Sequence, residues 1–380
     1  MPQTYARTLL QTLALAGLTL LAACETTQVQ PPTPDDTQVM RGKEPNYKRV
    51  QVHFGTNRAA GDGSTPAQAF GTTYSDTVSY GSAEVSIPRD HRMGELEGPN
   101  PWLLEFRQDP EKHVVLLSVK PMDRKRFLDE IASEIDEAGS RHALVFVHGY
   151  NTGFEDAARR TAQISYDIGF QGVPLFYSWP SQNSLLGYGE DERSVAKSQP
   201  LMRDFFRDLA ERLDAETIYV LAHSMGTRAT AGALAELFTE KPELRSRFRQ
   251  IMLMAPDIDA EVFRTQIAPA LVQPDNRLTL YASSNDIALK ASKAVHQAAR
   301  LGAADPLVLM PGMDSIDASD VATDLLGHSY YADGDSVVAD LVEVIADKGP
   351  AEQRTWLEPR RSEVGRFFRF KPVVHPAPAQ

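Results

Sequence analysis

Ser224, flanked by small residues, is the first candidate for chemistry in this sequence. Residues 222–226 read Ala-His-Ser-Met-Gly and lie between an apolar run, Ile218 to Ala222, and a segment with helical spacing that starts at Met225. This is the Gly-x-Ser-x-Gly turn between a strand and a helix, with alanine in the first glycine position. Small residues are needed there because the two backbones approach closely, and alanine meets that limit. The pattern predicts a nucleophilic Ser224; a serine that merely caps a helix is the alternative.

A serine nucleophile needs a histidine as its base, and three histidines are available. Along chains with this turn, the order is serine, then acid, then histidine. Of nine histidines, His296, His328 and His375 follow Ser224. His296 falls in a predicted helix and His375 in a Pro-rich tail. His328, in a loop before the last predicted helix, is therefore the predicted base.

Two aspartates could orient that histidine. Asp286 follows the predicted strand Leu278 to Ala282, and Asp257 follows the one before it, Ile251 to Met254. Asp286 is the preferred acid because it follows the seventh strand, the usual place. Asp257 stays open as the alternative acid, and the one not used is expected to accept backbone N–H bonds in its own loop.

The oxyanion formed during acyl transfer also needs hydrogen-bond donors. The apolar strand Leu144 to Val147 runs into residues 148–151, His-Gly-Tyr-Asn. A loop of this kind supplies one backbone N–H, and the residue after the serine supplies the other. The predicted oxyanion hole consists of the N–H groups of Tyr150 and Met225, while His148 and His223 are expected to pack or hydrogen-bond at the loop.

These residues must be positioned by a sheet, and strands alternate with helices through most of the chain. Such alternation predicts an α/β fold with a mostly parallel sheet and helices on both faces, extended by a β-rich N-terminal portion. The sites then lie beyond the carboxyl ends of the strands. The predicted strands are 50–54, 83–87, 114–119, 144–147, 173–178, 218–222, 251–254 and 278–282, and the predicted helices are 123–138, 154–168, 201–213, 225–237, 288–301 and 337–345, with a helical patch near Val262.

Two short segments have less certain roles. Thr56-Asn57-Arg58 follows the first strand, and a turn asparagine with a surface arginine is the favoured interpretation. Leu185 and Leu186 either line the mouth of an acyl pocket or belong to a plain surface loop.

The N-terminus predicts a lipoprotein. Arg7 precedes an apolar stretch from Leu9 to Leu20, which is too short to span a bilayer, and residues 21–24, Leu-Ala-Ala-Cys, resemble the bacterial lipobox. Cys24 is the sole cysteine, so lipidation there is expected and a disulfide within one chain is excluded. The predicted organisation is a signal peptide 1–23, a flexible tether 24–45, a folded domain 46–348 with its β-rich portion 46–120, and a C-terminal tail 349–380.

Composition excludes several partners. The net charge of −12 over 380 residues argues against nucleic acid. The sequence has no metal-ligand cluster and no phosphate-cradling loop, so no metal and no cofactor is expected. The sequence does not indicate the oligomeric state.

The motifs together resemble a known family. Residues 148–151, 177–181, 222–226, 255–257, 283–286 and 327–329 are similar to those of a bacterial family of largely uncharacterised α/β-hydrolase proteins within the esterase/lipase superfamily. The resemblance covers Tyr47 to Ile345 and implies serine hydrolase chemistry. We expect an esterase that acts on a small-molecule ester and is anchored by lipid on the periplasmic side of the cell envelope. Amide hydrolysis or acyl transfer by the same residues, or a catalytically silent binding module, are the alternatives.

Overall fold

Apolar residues alternate along the central strands because both faces of the sheet are covered. In the strand Thr217–His223, Ile218 and Val220 belong to one hydrophobic core, and Tyr219 and Leu221 to the other. Successive side chains of a strand point to opposite faces, so each strand contributes to both cores. A parallel sheet buried on both faces is the expected result.

The computed structural model describes residues 45–100, 102, 104–274, 276–285, 298–321, 334–346 and 349–372. Its strands are β1 (Tyr47–Ala60), β2 (Phe70–Pro88), β3 (Val115–Met122), β4 (His142–Val147), β5 (Val173–Ser178), β6 (Thr217–His223), β7 (Gln250–Met254), β8 (Arg277–Ala282), β9 (Met313–Asp317), β10 (Leu357–Ser362) and β11 (Gly365–Phe370). Its helices are α1 (Arg124–Ala138), α2 (Phe154–Asp167), α3 (Tyr188–Arg212), α4 (Gly226–Glu240), α5 (Ala260–Val262), α6 (Ala268–Leu271) and α7 (Gly334–Ile345), with a π-helical turn, Phe263–Ile267, between α5 and α6.

The strands of the described residues form one sheet in the order β10-β11-β9-β8-β7-β6-β4-β5-β1-β2-β3. Neighbours from β11 to β1 run parallel, whereas β2 is antiparallel to β1 and β3, and β10 to β11. The N-terminal strands extend the main sheet because β1 pairs with β5. The predicted fold class is confirmed.

Helices cover both faces of this sheet. The first core contains apolar side chains of α1, α3 and α4, and the second contains those of α2 and α7. Local sequence sets the helix ends: the Asp123 carboxylate accepts the Arg126 N–H at the start of α1, and Gly139, with φ 62°, follows its last residue.

Three predictions about elements were wrong. The tail 349–380 contains β10 and β11, so the sheet continues past the boundary predicted at residue 348. The helix predicted over 201–213 begins earlier, at Tyr188, and contains Pro200. Residues 298–301 are not helical, since Arg300 forms a β-bridge with Asp259, and the rest of that predicted helix, 288–297, is outside the described residues.

The predicted signal peptide, Cys24 and the tether up to residue 44 also lie outside the described residues. Within the described ranges, no helix has both the length and the apolar character needed to cross a bilayer.

Candidate active site

Ser224 lies in a sharp turn between β6 and α4. Its φ is +48°, a left-handed backbone that non-glycine residues rarely adopt. Two hydrogen bonds hold the turn: the Ser224 N–H donates to the Met254 carbonyl at 2.9 Å, and the Ser224 carbonyl accepts the Thr227 N–H at 3.1 Å. The side chain is partly exposed at the carboxyl end of the strand. This is the strained strand-to-helix turn that the motif predicts.

The His-Gly loop packs directly against that turn. A methyl group added at Gly149 would lie 2.9 Å from Ser224 Cβ and 2.9 Å from His223 Nδ1. One added at Gly226 would lie 2.1 Å from the His148 carbonyl oxygen. The small residue predicted at position 226 is therefore required where the two loops touch, and so is Gly149 on the facing loop.

The two predicted oxyanion donors belong to these touching loops. Met225 immediately precedes the first residue of α4, where backbone N–H groups have no partner within the helix. Tyr150 follows Gly149 and precedes Asn151, whose φ is +54°. Met225 is thus the neighbour of Ser224 in the chain, and Tyr150 follows the glycine that packs against Ser224 Cβ.

His148 is buried and fully engaged in this loop. Its Nδ1 contacts the Gly149 carbonyl at 2.8 Å, its Nε2 contacts Ser178 Oγ at 3.2 Å, and its ring stacks on Trp179 with centroids 5.0 Å apart. Trp179 Nε1 also donates to the His148 carbonyl at 2.9 Å. Burial, reinforced by the nearby charge of Arg58, lowers the pKa of His148 to about 3. A neutral, packed ring is a structural element of the loop.

Arg58 was wrongly expected at the surface. It is 1% exposed, and its guanidinium donates to Ser178 Oγ at 2.8 Å, to the Gly71 and Ser181 carbonyls at 3.1 Å each, and to the Thr152 carbonyl at 2.7 Å. Its Nη2 also lies 3.4 Å from His148 Nε2. The sequence does not predict the burial of Arg58, because arginines are almost never fully buried unless they are paired.

Thr56 and Asn57 are also buried beside the site. Thr56 Oγ1 donates to the Ser178 carbonyl at 2.6 Å, at the point where β1 pairs with β5. Asn57 Nδ2 donates to Ser198 Oγ at 2.9 Å on α3. Asn57 was thus wrongly expected in a turn: it lies within β1 and links that strand to a helix of the first core.

Asp191 on α3 is a second buried charge that sequence reasoning missed. Its carboxylate accepts the Asn151 N–H at 3.2 Å, the Ser181 hydroxyl at 2.6 Å and the Gln182 N–H at 2.6 Å. It therefore joins the His-Gly loop to the segment that follows β5. From the sequence alone, an aspartate at this position could equally well be exposed to solvent. Only the folded structure shows that Asp191 is buried and joins two segments.

Asp257, the alternative acid, is held in an ion-pair cluster. It is 2% exposed, its Oδ2 accepts from Tyr188 Oη at 2.7 Å and from Arg228 Nη2 at 2.9 Å, and its Oδ1 lies 3.4 Å from Arg300 Nε. Its N–H donates to the Ser224 carbonyl at 3.3 Å. Asp257 is thus adjacent to the Ser224 turn, while the preferred acid Asp286 and the predicted base His328 lie outside the described residues.

Residues 123–347 match the family described as alpha/beta hydrolase of unknown function (DUF900). The match covers more than half of the 380 residues. This chain belongs to that family. Membership agrees with the mostly parallel sheet and the serine turn described above.

Other known proteins are similar over shorter stretches or at low identity. An uncharacterised protein of Nostoc sp. is 25% identical over 125 residues, which are 26% of this chain and 33% of that protein. The esterase domain of a Rhodothermus marinus protein is 15% identical, with 78% of this chain and 96% of that chain covered and a TM-score of 0.30. Aspergillus fumigatus lipase B is 13% identical, with 56% and 53% covered and a TM-score of 0.33. The match thus spans a third of the curated relative and about half of the lipase chain.

One group of side chains in the described part of this α/β-hydrolase family member has the composition of a metal site. His53 on β1 and Glu130 and Glu134 on α1 bring ligand atoms within 4.8 Å of one another. However, Glu134 already accepts from Gln51 Nε2 at 2.7 Å and lies 2.9 Å from His53 Nε2. None of these residues belongs to the segments that form the serine turn.

Leu185 and Leu186 are exposed beside the His-Gly loop. Their exposed fractions are 76% and 97%, and the Tyr150 hydroxyl donates to the Leu185 carbonyl. The segment therefore borders the site of this hydrolase-family protein through Tyr150.

Proposed function

We propose that this protein is a serine hydrolase that cleaves carboxylic esters through an acyl-enzyme on Ser224. One observation carries the proposal: Ser224 has a φ of +48° at a strand-to-helix turn, with the Gly149 backbone packed against it. A strained turn of this kind is retained where it serves a function, and in an α/β hydrolase that function is nucleophilic attack.

In the proposed reaction, Ser224 Oγ attacks the ester carbonyl carbon while His328 takes the hydroxyl proton. Asp286 orients His328 and stabilises its protonated ring. The N–H groups of Tyr150 and Met225 stabilise the oxyanion. Collapse of the intermediate breaks the carbon–oxygen bond to the alcohol, which receives the proton from His328. Water, deprotonated by the same histidine, then releases the acid and restores Ser224.

The contacts of Asp257 support Asp286 as the acid. A triad carboxylate must be available to the histidine, whereas Asp257 already contacts Arg228, Arg300 and Tyr188. Its position under the Ser224 carbonyl fits a role in holding the turn.

Labelling by a fluorophosphonate probe, together with hydrolysis of short and long nitrophenyl esters, tests the proposal. We expect wild type to be labelled, with fluoride displaced by Ser224 Oγ. Ser224→Ala should abolish labelling and lower turnover by up to about a millionfold. Ser184→Ala, at an exposed serine of a neighbouring segment, is the matched control and should behave as wild type. Unlabelled, inactive wild type would contradict the proposal and favour a silent binding module.

Two further variants separate the candidate acids. Asp286→Asn should lower turnover by roughly ten-thousandfold, as expected for loss of the orienting carboxylate. Asp257→Asn should mainly lower the free energy of unfolding, because it breaks buried ion pairs. Greater kinetic damage from Asp257→Asn than from Asp286→Asn would reverse the assignment.

The pH profile tests the base. Turnover should fall as the pH drops through the range where a histidine base becomes protonated. A flat profile between about pH 5 and 8 would rule out a histidine in this role.

The proposal includes a lipid anchor on Cys24, which would hold the enzyme at the periplasmic side of a bacterial membrane. Metabolic incorporation of an alkyne fatty acid should label the full chain, and Cys24→Ala should remove both the label and membrane retention. Membrane retention of the Cys24→Ala chain would count against lipidation as the anchor.

A further inference from the structure

We propose that Arg58 is a positioning residue of this active site, which orients the Tyr150 N–H by holding the His-Gly loop on both sides of it. The inference rests on the proposed serine hydrolase function and assigns a role to a residue 166 positions before Ser224 in the chain.

A single nitrogen of Arg58 contacts both flanks of the oxyanion loop. Nη2 donates to the Thr152 carbonyl at 2.7 Å and lies 3.4 Å from His148 Nε2. Thr152 is two residues after Tyr150, and His148 is two residues before it. One planar guanidinium therefore contacts the residues on both sides of the peptide that carries the Tyr150 N–H.

The remaining nitrogens connect this loop to the fixed part of the sheet. Nε donates to Ser178 Oγ, at the end of β5, at 2.8 Å, and Nη1 donates to the Ser181 and Gly71 carbonyls at 3.1 Å. Ser178 is in turn bound to Thr56 through its carbonyl. A guanidinium can span these acceptors because its donors lie in one rigid plane, whereas an ammonium cannot.

The charge of Arg58 is buried among neutral acceptors. Among the described residues, no carboxylate oxygen lies within hydrogen-bonding distance of it, and Asp191 reaches it only through Ser181, whose hydroxyl and carbonyl contact Asp191 and Arg58 respectively. Burial lowers the pKa of Arg58 to about 9, although Asp191 and Asp156 oppose the shift. A buried cation without a directly bound carboxylate is costly to the fold. That cost falls at the residue whose Nη2 contacts both flanks of Tyr150.

Arg58→Gln and Arg58→Lys test this role. If Arg58 orients a donor used only in the transition state, Arg58→Gln should lower kcat by about a hundredfold or more, with KM changed by less than about threefold. Arg58→Lys keeps the charge and loses the planar fork, so its kcat should fall between those of wild type and Arg58→Gln. Affinity for a trifluoromethyl ketone, which forms an anionic adduct with the serine, should fall in parallel with kcat/KM.

Arg354→Lys is the matched control. Arg354 is also buried, but its partners are Asp314 and Asp340, outside the oxyanion loop. It should lose thermal stability while the folded enzyme keeps its kcat and inhibitor affinity. Arg58 variants that keep wild-type kcat per folded molecule, in an active wild-type background, would overturn the inference and leave the proposed function intact. Wild type without labelling or turnover would overturn both.

Ser178→Ala covers the case in which both Arg58 variants fail to fold. It removes the hydroxyl that accepts from Arg58 Nε and contacts His148, and it leaves the guanidinium its three carbonyl acceptors at Gly71, Ser181 and Thr152. We expect kcat to fall by about tenfold with KM unchanged, as for loss of one hydrogen bond to a charged group. An unchanged kcat in this variant would contradict the role of Arg58.

Discussion

At the scale of single residues, the backbone of Ser224 carries a measurable cost. Its φ of +48° is free of steric penalty only for glycine. Ser224→Gly should therefore be more stable than Ser224→Ala by about 1 kcal/mol, although both lack the hydroxyl and should be inactive. Urea unfolding of the two proteins measures this difference, and equal free energies of unfolding would mean that the turn is relaxed.

Gly149 gives a second prediction at this scale. A methyl group there would lie 2.9 Å from Ser224 Cβ, so Gly149→Ala must push the His-Gly loop away from Ser224. We expect kcat/KM for a nitrophenyl ester to fall by about a hundredfold or more, as for loss of an oxyanion donor.

Gly189→Ala is the control for Gly149→Ala, since an added methyl at Gly189 meets no atom within 4 Å. It should leave kcat/KM unchanged. Similar activity in the two variants would show that the His-Gly loop adapts without loss of the oxyanion hole.

Residues of the site differed in how far sequence alone could place them. Ser224 and Gly149 follow apolar strands within short motifs, and local spacing determines their surroundings. Arg58 is different because its acceptors come from three separate segments, and no local pattern reports that they converge. Asp286 and His328 remain predictions from chain order.

At the scale of elements, β11 was missed because it carries charged side chains on both of its faces. It contains Arg366, Phe367, Phe368, Arg369 and Phe370, and only Phe368 and Phe370 are buried. Its aromatic residues are typical of a strand, but the surrounding Pro- and Arg-rich sequence led to the prediction of a C-terminal tail. The central strands were predictable because both of their faces are apolar.

The alternation in β11 predicts unequal effects of neighbouring phenylalanines. Phe368 is 4% exposed and packs in the second core, opposite Ile316 of β9. Phe368→Ala should lower the free energy of unfolding by about 3–5 kcal/mol. Phe367→Ala, on the other face, should cost about 1 kcal/mol or less. Chemical denaturation of both variants tests this, and equal losses would contradict the placement of β11 in the sheet.

At the scale of the whole molecule, His91 links the segment after β2 to the end of α2. Its Nδ1 contacts Glu97 at 2.8 Å and its Nε2 contacts Asp167 at 2.8 Å. Burial alone would lower the pKa of His91, but the hydrogen bonds and charges of Asp167 and Glu97 outweigh it and raise the pKa to about 9.

This shift predicts how stability depends on pH. A histidine whose pKa is higher in the folded than in the unfolded state stabilises fully below its ordinary pKa of 6.5, and that contribution is lost as the pH rises to about 9. The free energy of unfolding should therefore decrease between pH 6.5 and 9, and His91→Gln should flatten this slope. An identical slope in the variant would exclude His91 as its source.

The edge strand β10 affects whether molecules of this protein can associate by strand addition at high concentration. Its exposed residues include Pro359, which has no N–H, and the adjacent cations Arg360 and Arg361. A second molecule attempting to add its own strand at this border would meet a missing donor and like charges. High local concentration should therefore not lead to polymers that grow by strand addition at β10.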